Sequence, residues 1–365
     1  MIYGVILGAL ILSFPFWGIK KPTGVLDDPI TGNPDLLYFA TDAPDNILIY
    51  SPGERSVQLR LSASERIGDL AVSSDGRTIW SSTKSGFIDR YEIPLGGSTL
   101  LPTSSDHKRI APVLSAIALS ADGRFIAVGY GNIEDYNSRN IKILPADTLD
   151  VRGELADFSV SGDIQDIVAN PVENIFYIIN SHSDRVRIYN ADRFRLESDI
   201  IELGNSPGRF VVRPDGKRAY GAMNARQSVT VVNLDTNEVQ ENIVIGFPPY
   251  AMCFNEDGSH LYVASRDSNV VAAVNTETNE IIKVFHFPPR IEGILEYNYA
   301  EMIGVSPAED YIYVMPKRAE LIVYDMSEVF DESVREPKLT MVQSEVLPTT
   351  PFFMSIVRGS PEANP

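Results

Sequence analysis

One pattern constrains this chain more than any other: a Gly-centred turn followed four residues later by a large aromatic, recurring along the sequence. "SSDGRTIWSST" contains Gly76, "SADGRFIAVGY" Gly123, "RPDGKRAYGAM" Gly216 and "NEDGSHLYVAS" Gly258. Weaker copies are "NPVENIFYIIN" around Glu173, "SPAEDYIYVMP" around Glu309 and "TGNPDLLYFAT" around Pro34. The position four residues on is Tyr38, Trp80, Ala127, Tyr177, Tyr220, Tyr262 and Tyr313, so the spacings are 42, 47, 50, 43, 42 and 51 residues. Self-similarity at this period is the signature of a propeller or a solenoid.

Within one unit the pattern resolves into strands. "YAMCFN", "LYVAS", "VVAAVN" and "EIIKVFHF" are β-rich runs, separated by the turns "EDG", "RDSN" and "TETN". Short β runs punctuated every 8 to 12 residues imply an all-β architecture. Four-stranded sheets repeated about an axis make a β-propeller. A solenoid would need capping ends and has no reason to stop at seven. The expected fold is therefore all-β, a seven-bladed propeller of four-stranded blades. The first unit starts at its turn and lacks an innermost strand, whereas "TPFFMSIVRGSP" (Thr350–Pro361) matches "PPYAMCFNEDG" and then stops. The C-terminal strand is thus expected to complete the first blade and close the ring.

The stretch from Gly221 to Ile281, "GAMNARQSVTVVNLDTNEVQENIVIGFPPYAMCFNEDGSHLYVASRDSNVVAAVNTETNEI", resembles the YVTN-type β-propeller repeat family. The resemblance is strongest from Gly204 to Phe287, extends over Pro34 to Pro361, and breaks at "VGYGNIEDYNSRN" (Val128–Asn140). It implies the fold and carries no catalytic residue. Propellers of this type look like the large or accessory subunits of amine dehydrogenases and of multihaem redox complexes. The implied role is a non-catalytic subunit of an exported redox enzyme, with a complex making hydrazine from nitric oxide and ammonium as one instance. Haem c would then sit on partner chains, which would be multihaem cytochromes, and this chain would carry no cofactor. Two other readings stay open: a free-standing periplasmic or surface binding protein, and a lactonase-like propeller hydrolase with its site at the central channel.

Composition narrows the partners. The net charge is −18, which disfavours nucleic acid, since phosphate recognition needs basic surface, and suits a basic partner or plain solubility. Cys253 is the single cysteine, so no internal disulfide forms, and no C-x-x-C-H run attaches a haem. His107, His182, His260 and His286 are far apart and show no metal-ligand spacing.

Residues 2–19, "IYGVILGALILSFPFWGI", carry no charge. Their length is near the lower limit for a membrane span. The expected organisation is a signal peptide or uncleaved anchor, helical, over 1–21, a linker over 22–33, the propeller over 34–361 and a tail over 362–365. A buried core helix is the competing reading of the apolar run. Lys20 and Lys21 follow the apolar run rather than precede it, and by the positive-inside rule they would hold the body in the cytoplasm. A charge-free apolar N-terminus nevertheless favours export, to the periplasm or an equivalent compartment such as the anammoxosome.

Three insertions depart from the repeat: "GNIEDYNSRN" between second and third strands, and "GGSTLLPTSSDHKRIAP" and "PPRIEGILEYNYAE", both assigned between a fourth strand and the next blade. Those connections share one face of a propeller, opposite the D-G turns. Tyr136, Arg139, Arg290, Tyr297 and Tyr299 give that face the aromatic and Arg content of interface hot spots. They are the candidate partner-binding residues; ordinary solvated loops are the alternative. Asp106, His107 and Glu134 could approach one another across the face, and Glu292, Glu296 and Glu301 form an acidic group. Solvated or paired charges explain both sets without catalysis. No G-x-S-x-G nucleophile motif or phosphate-binding Gly loop is present.

Overall fold

The computed structural model describes residues 36–357 apart from 42–46, 52–55, 62–64, 94–103, 132–137, 151–155, 162–163, 181–184, 205–207, 266–267, 289–299, 307, 317–319, 332–338 and 347–350. The expected N-terminal segment, linker and tail lie outside the described residues. Among the described residues the one helical element is a single 3₁₀ turn, Asn224–Arg226, and no helix is long and apolar enough to cross a membrane.

The strands form seven four-stranded antiparallel sheets. Blades 2 to 7 begin at their innermost strands, which are Ile67–Val72, Val113–Leu119, Ile164–Ala169, Phe210–Val212, Pro249–Phe254 and Ala300–Val305. Blade 1 takes its innermost strand from the other end of the chain. Pro351–Val357 pairs antiparallel with Leu36–Thr41, through Leu37 opposite Ile356 and Phe39 opposite Met354. This innermost strand contacts those of blades 2 and 7. A cluster of Leu37, Phe39, Tyr50, Tyr313, Met315 and Leu321 seals the joint between blades 7 and 1.

Turn chemistry explains why the strands reverse where they do. Gly76, Gly123, Gly216 and Gly258 all adopt positive φ, between 70° and 74°, which Gly reaches without steric cost. The Asp before each Gly accepts the backbone N–H two residues on: Asp75 from Arg77 at 3.0 Å, Asp122 from Arg124 at 2.9 Å, Asp215 from Lys217 at 3.0 Å and Asp257 from Ser259 at 2.9 Å. Gly216 and Gly258 also sit against the neighbouring blade. A Cβ on Gly216 would lie 2.5 Å from Asn170 Oδ1, and one on Gly258 would lie 2.7 Å from Pro214 Cδ.

The aromatic series holds adjacent blades together. Tyr38, Trp80, Tyr177, Tyr220, Tyr262 and Tyr313 are all buried, and most carry a polar tip into the next blade. Tyr38 Oη donates to the Gly76 carbonyl at 2.8 Å, Trp80 Nε1 to Ala146 at 3.0 Å and Tyr220 Oη to Thr276 at 3.3 Å. Tyr262 Oη donates to the Glu309 carboxylate. Each ring contributes roughly 2 to 3 kcal/mol of burial, while its hydrogen bond fixes the angle between sheets. Blade 3 has Ala127 at this position; its joint with blade 4 combines the apolar Ile141, Ile143 and Phe176 with polar contacts of Asp122 with Asn174 and of Arg124 with Asp192.

One connection differs from the sequence expectation. The fourth strand of blade 2 is Ser104–Arg109, paired with Phe87–Glu92. The insertion 94–103 therefore joins a third strand to a fourth, on the face of the D-G turns. The connection to blade 3 is the short 110–112. The other two insertions lie as expected: 132–137 between second and third strands of blade 3, and 289–299 between blades 6 and 7.

Candidate functional site

Both correctly placed insertions leave and rejoin the fold at the face where the innermost strands begin. Of the five residues expected to bind partners, Tyr136, Arg290, Tyr297 and Tyr299 lie outside the described residues. Arg139 falls in the strand Ser138–Pro145, opposite Gly131 and Val160, at the end next to 132–137.

Asp106 and His107 do not approach that face. They lie on the outermost strand of blade 2, opposite Arg90 and Asp89. His107 Nδ1 is 2.6 Å from Asp89 Oδ1, and its ring stacks on Phe87 at 4.2 Å. Asp106 is 3.5 Å from Arg90. These contacts build the rim of a blade, not a site with Glu134, which lies outside the described residues, as do Glu292 and Glu296. Among the described residues no group of three or more His, Cys, Asp or Glu could hold a metal ion.

The same face carries a more regular feature. The innermost strands share an irregularity at their start: the register shifts between Ile67 and Asp69, Leu114 and Ile117, Ile164 and Asp166, Pro249 and Ala251, and Ala300 and Met302. In blade 5, Gly208 N donates to the Ala222 carbonyl while Ala222 N donates to Arg209, giving the same two-against-one arrangement. Such bulges re-aim side chains and favour the rims of barrels and active sites. Gly68, Gln165, Gly208, Tyr250 and Glu301 occupy the bulged position, and Asp69, Ala116, Asp166, Arg209, Ala251 and Met302 the one after it.

Charge gathers on one arc of this ring. Asp69 Oδ1 accepts Leu70 N–H at 2.8 Å, and its Oδ2 accepts Ile117 N–H of blade 3 at 3.1 Å. Asp166 Oδ1 accepts Ile167 N–H at 2.9 Å. Arg209 Nη1 stands 4.0 Å from Asp166 Oδ2, and its guanidinium lies 5.7 Å from the centre of the Tyr250 ring. Side chains thereby join blade 2 to blade 3, and blades 4, 5 and 6 to one another, at one end of the channel. Burial pushes the Asp69 carboxyl up to about 8, helped by the Asp166 charge and opposed by the two N–H donors and Arg209. Burial raises Asp166 too, with Arg209 pulling it back. The arc still meets solvent, since the Asp166 side chain is 28 % exposed. It thus brings two carboxyl groups and a guanidinium to one arc, groups able to donate and accept hydrogen bonds.

Reading the sequence for motifs passes over these three residues. The signal is in the repeat itself: aligned with "PPYAMCFNEDG", Asp69, Asp166 and Arg209 all fall at the register of Ala251. A charge at an inner-strand position held elsewhere by Ala, Met or Phe is a departure from the pattern.

No protein-family model matches the chain, and no curated protein matches it by sequence. Its fold matches solved structures. A functionally unknown protein from Desulfotomaculum acetoxidans has a TM-score of 0.68 at 15 % identity, covering 89 % of this chain and 99 % of its own. The periplasmic gluconolactonase of Pseudomonas aeruginosa has a TM-score of 0.65 at 16 % identity, covering 89 % and 99 %. Kuenenia stuttgartiensis hydrazine synthase has a TM-score of 0.60 at 16 % identity, covering 81 % and 96 %. At these identities the likeness establishes the seven-bladed fold; function has to come from the site.

Proposed function

We propose that this chain is a non-catalytic propeller subunit of an exported multi-subunit redox enzyme, docking partner chains that carry the cofactors. The observation behind this reading is that insertions 132–137 and 289–299 meet the fold at the face where the innermost strands begin. Loops on a rigid scaffold are where recognition concentrates. Tyr136, Arg139, Arg290, Tyr297 and Tyr299 belong to that face or its insertions. The partners are multihaem cytochromes bearing haem c, and a basic partner surface suits a chain of net charge −18. A hydrazine synthase-like complex is the particular assembly in view, with residues 1–21 directing export to the periplasm or an anammoxosome-like compartment, or anchoring the chain. The solved hydrazine synthase supports this reading through its fold.

Purification of the native protein tests it. A c-type cytochrome should co-purify. Replacing Tyr297 and Tyr299 with Ala should weaken that association while the melting temperature holds. Charge reversals at Asp215 and Asp257, on the D-G face, serve as the control. Loss of the partner in the control but not in the Tyr pair rules out the assigned face.

A second reading, a lactonase-like hydrolase acting at the channel, draws on Asp69 and Asp166. It is tested by lactone hydrolysis that disappears in Asp166→Asn.

A further inference from the structure

We infer that the outer edge of blade 6, the strand Glu280–His286, receives an extended segment of a partner protein as a fifth strand, one in which β-branched residues alternate with Lys or Arg. This surface is on the perimeter of the propeller, so the inference stands apart from the insertion face and from the redox reading. Its first support is the edge itself. Among the described strands, Glu280–His286 pairs only with Val270–Asn275. The backbone N–H and C=O groups along its other side are a template for one more strand. Outer strands are ordinarily guarded by charge, and those of blades 2 and 4 are "SSDHKR" and "RLESDIIE". That of blade 6 is "EIIKVFH", with Ile281, Ile282 and Val284 exposed by 36 %, 40 % and 48 %.

The second support is how this strand is held. Phe285 is buried in the joint with blade 7 and fixes the strand from that side. Ile281 and Val284 stand opposite Val274 and Ala272, and Val274 belongs to the apolar cluster shared with blade 5. The alternation of side chains along a strand puts Ile281 and Val284 on the blade 5 side. An added strand would set its own apolar residues beside these two and remove them from water, while its backbone satisfied the edge.

The third support is charge, which selects the occupant. On blade 5, Glu241 stands opposite Val231 of the same apolar cluster, so it faces blade 6, where Asn279 Nδ2 donates to it. Glu238, Glu241 and Glu280 are all exposed, and Lys283 is the only Lys or Arg in the two outer strands. An incoming Lys or Arg meets carboxylates here, whereas an acidic segment is repelled. A second copy of the chain would bring these carboxylates, and a net charge of −18, against their own kind.

Fluorescence anisotropy on the full chain tests the inference with three labelled octapeptides. One alternates Lys and Val, one alternates Glu and Val, and the third is the Lys–Val peptide with every backbone N–H methylated, which keeps the charge and donates no backbone hydrogen bond. The Lys–Val peptide should bind saturably at one per chain, ten-fold or more tighter than either control. Val284→Lys should weaken it ten-fold or more at unchanged melting temperature. Ser198→Lys, which adds the same charge at an exposed position on the outer strand of blade 4, should change it less than two-fold. If Val284→Lys fails to fold, hydrogen exchange on the native chain decides: the peptide should protect amides in 280–286. Absence of saturable binding, equal binding of the methylated peptide, equal effects of the two substitutions, or protection confined to other strands overturns the proposal. A chain that dimerises in sedimentation equilibrium and becomes monomeric with Val284→Lys also overturns it, because the occupant is then a second copy.

Discussion

Asp69 Oδ2 accepts the backbone N–H of Ile117 at 3.1 Å, across the boundary between blades 2 and 3. A carboxyl group committed to a neighbouring blade from inside the protein gives stability a dependence on pH. The folded protein holds the Asp69 proton more tightly than the unfolded chain, with a pKa of about 8 against an ordinary value of 3.8. Its contribution is therefore complete below pH ~4 and is lost as pH rises toward ~8. Solvent access to the channel moderates the effect to on the order of 2 kcal/mol. Urea unfolding at pH 5 and pH 8 should show the native chain losing about that much more than Asp69→Ala. Equal losses in the two proteins would mean that Asp69 is ionised throughout.

Glu309 stands at the left-handed turn position, φ 59°, where four other blades have Gly. Its carboxylate accepts hydrogen bonds from Asn255 Nδ2 at 2.7 Å and from Tyr262 Oη, and lies 2.9 Å from His260 Nδ1. These groups on blade 6 hold a strained residue of blade 7. Glu309→Gly releases the strain and loses the bonds, whereas Glu309→Ala loses the bonds and keeps the strain. Both should destabilise, Ala by about 1 kcal/mol more than Gly. Tyr262→Phe should cost roughly 1 to 2 kcal/mol. Denaturant midpoints measure all three. A Glu309→Gly protein more stable than the parent would show that the bonds between blades contribute less than the strain.

Ring closure depends on Pro351–Val357. A chain ending at Val346 leaves Leu36–Thr41 without its inner partner and opens the apolar joint between blades 7 and 1. Such a chain should yield no soluble folded protein. A truncated chain that is soluble and melts at the parent temperature would show that blade 1 stands with three strands.

The blades were legible in the sequence because their signals are local. Asp215 and Gly216 specify a turn through a contact two residues long, and Tyr220 follows at fixed spacing wherever the next joint needs filling. The closing strand was legible because Phe353 falls where the repeat requires Ala251. Where non-local pairing decides, sequence reading failed. "SSDHKR" has the composition of a loop, yet Ser104–Arg109 is a strand. It forms because Phe87–Glu92 offers a free edge, His107 stacks on Phe87, and Asp89 receives the histidine. Tertiary context there overrides propensity, and with that strand the insertion before it moves to the opposite face. The channel arc escaped notice for another reason. Asp69, Asp166 and Arg209 lie 97 and 43 residues apart, and only the shared register of three blades brings them to one place.

The bulge that begins each innermost strand separates two jobs that a strand ordinarily combines. Backbone pairing resumes just beyond it whether the next side chain is Asp, Arg, Ala or Met, so blades keep their geometry while this ring varies. Equivalent sockets on blades 2 to 7 surround one axis, and each can be refilled without disturbing the sheet behind it. A rotationally repeated frame thereby acquires a direction: its charged sockets lie on blades 2, 4 and 5, while on blades 3 and 6 the same socket holds Ala116 and Ala251, packed into the joints between blades.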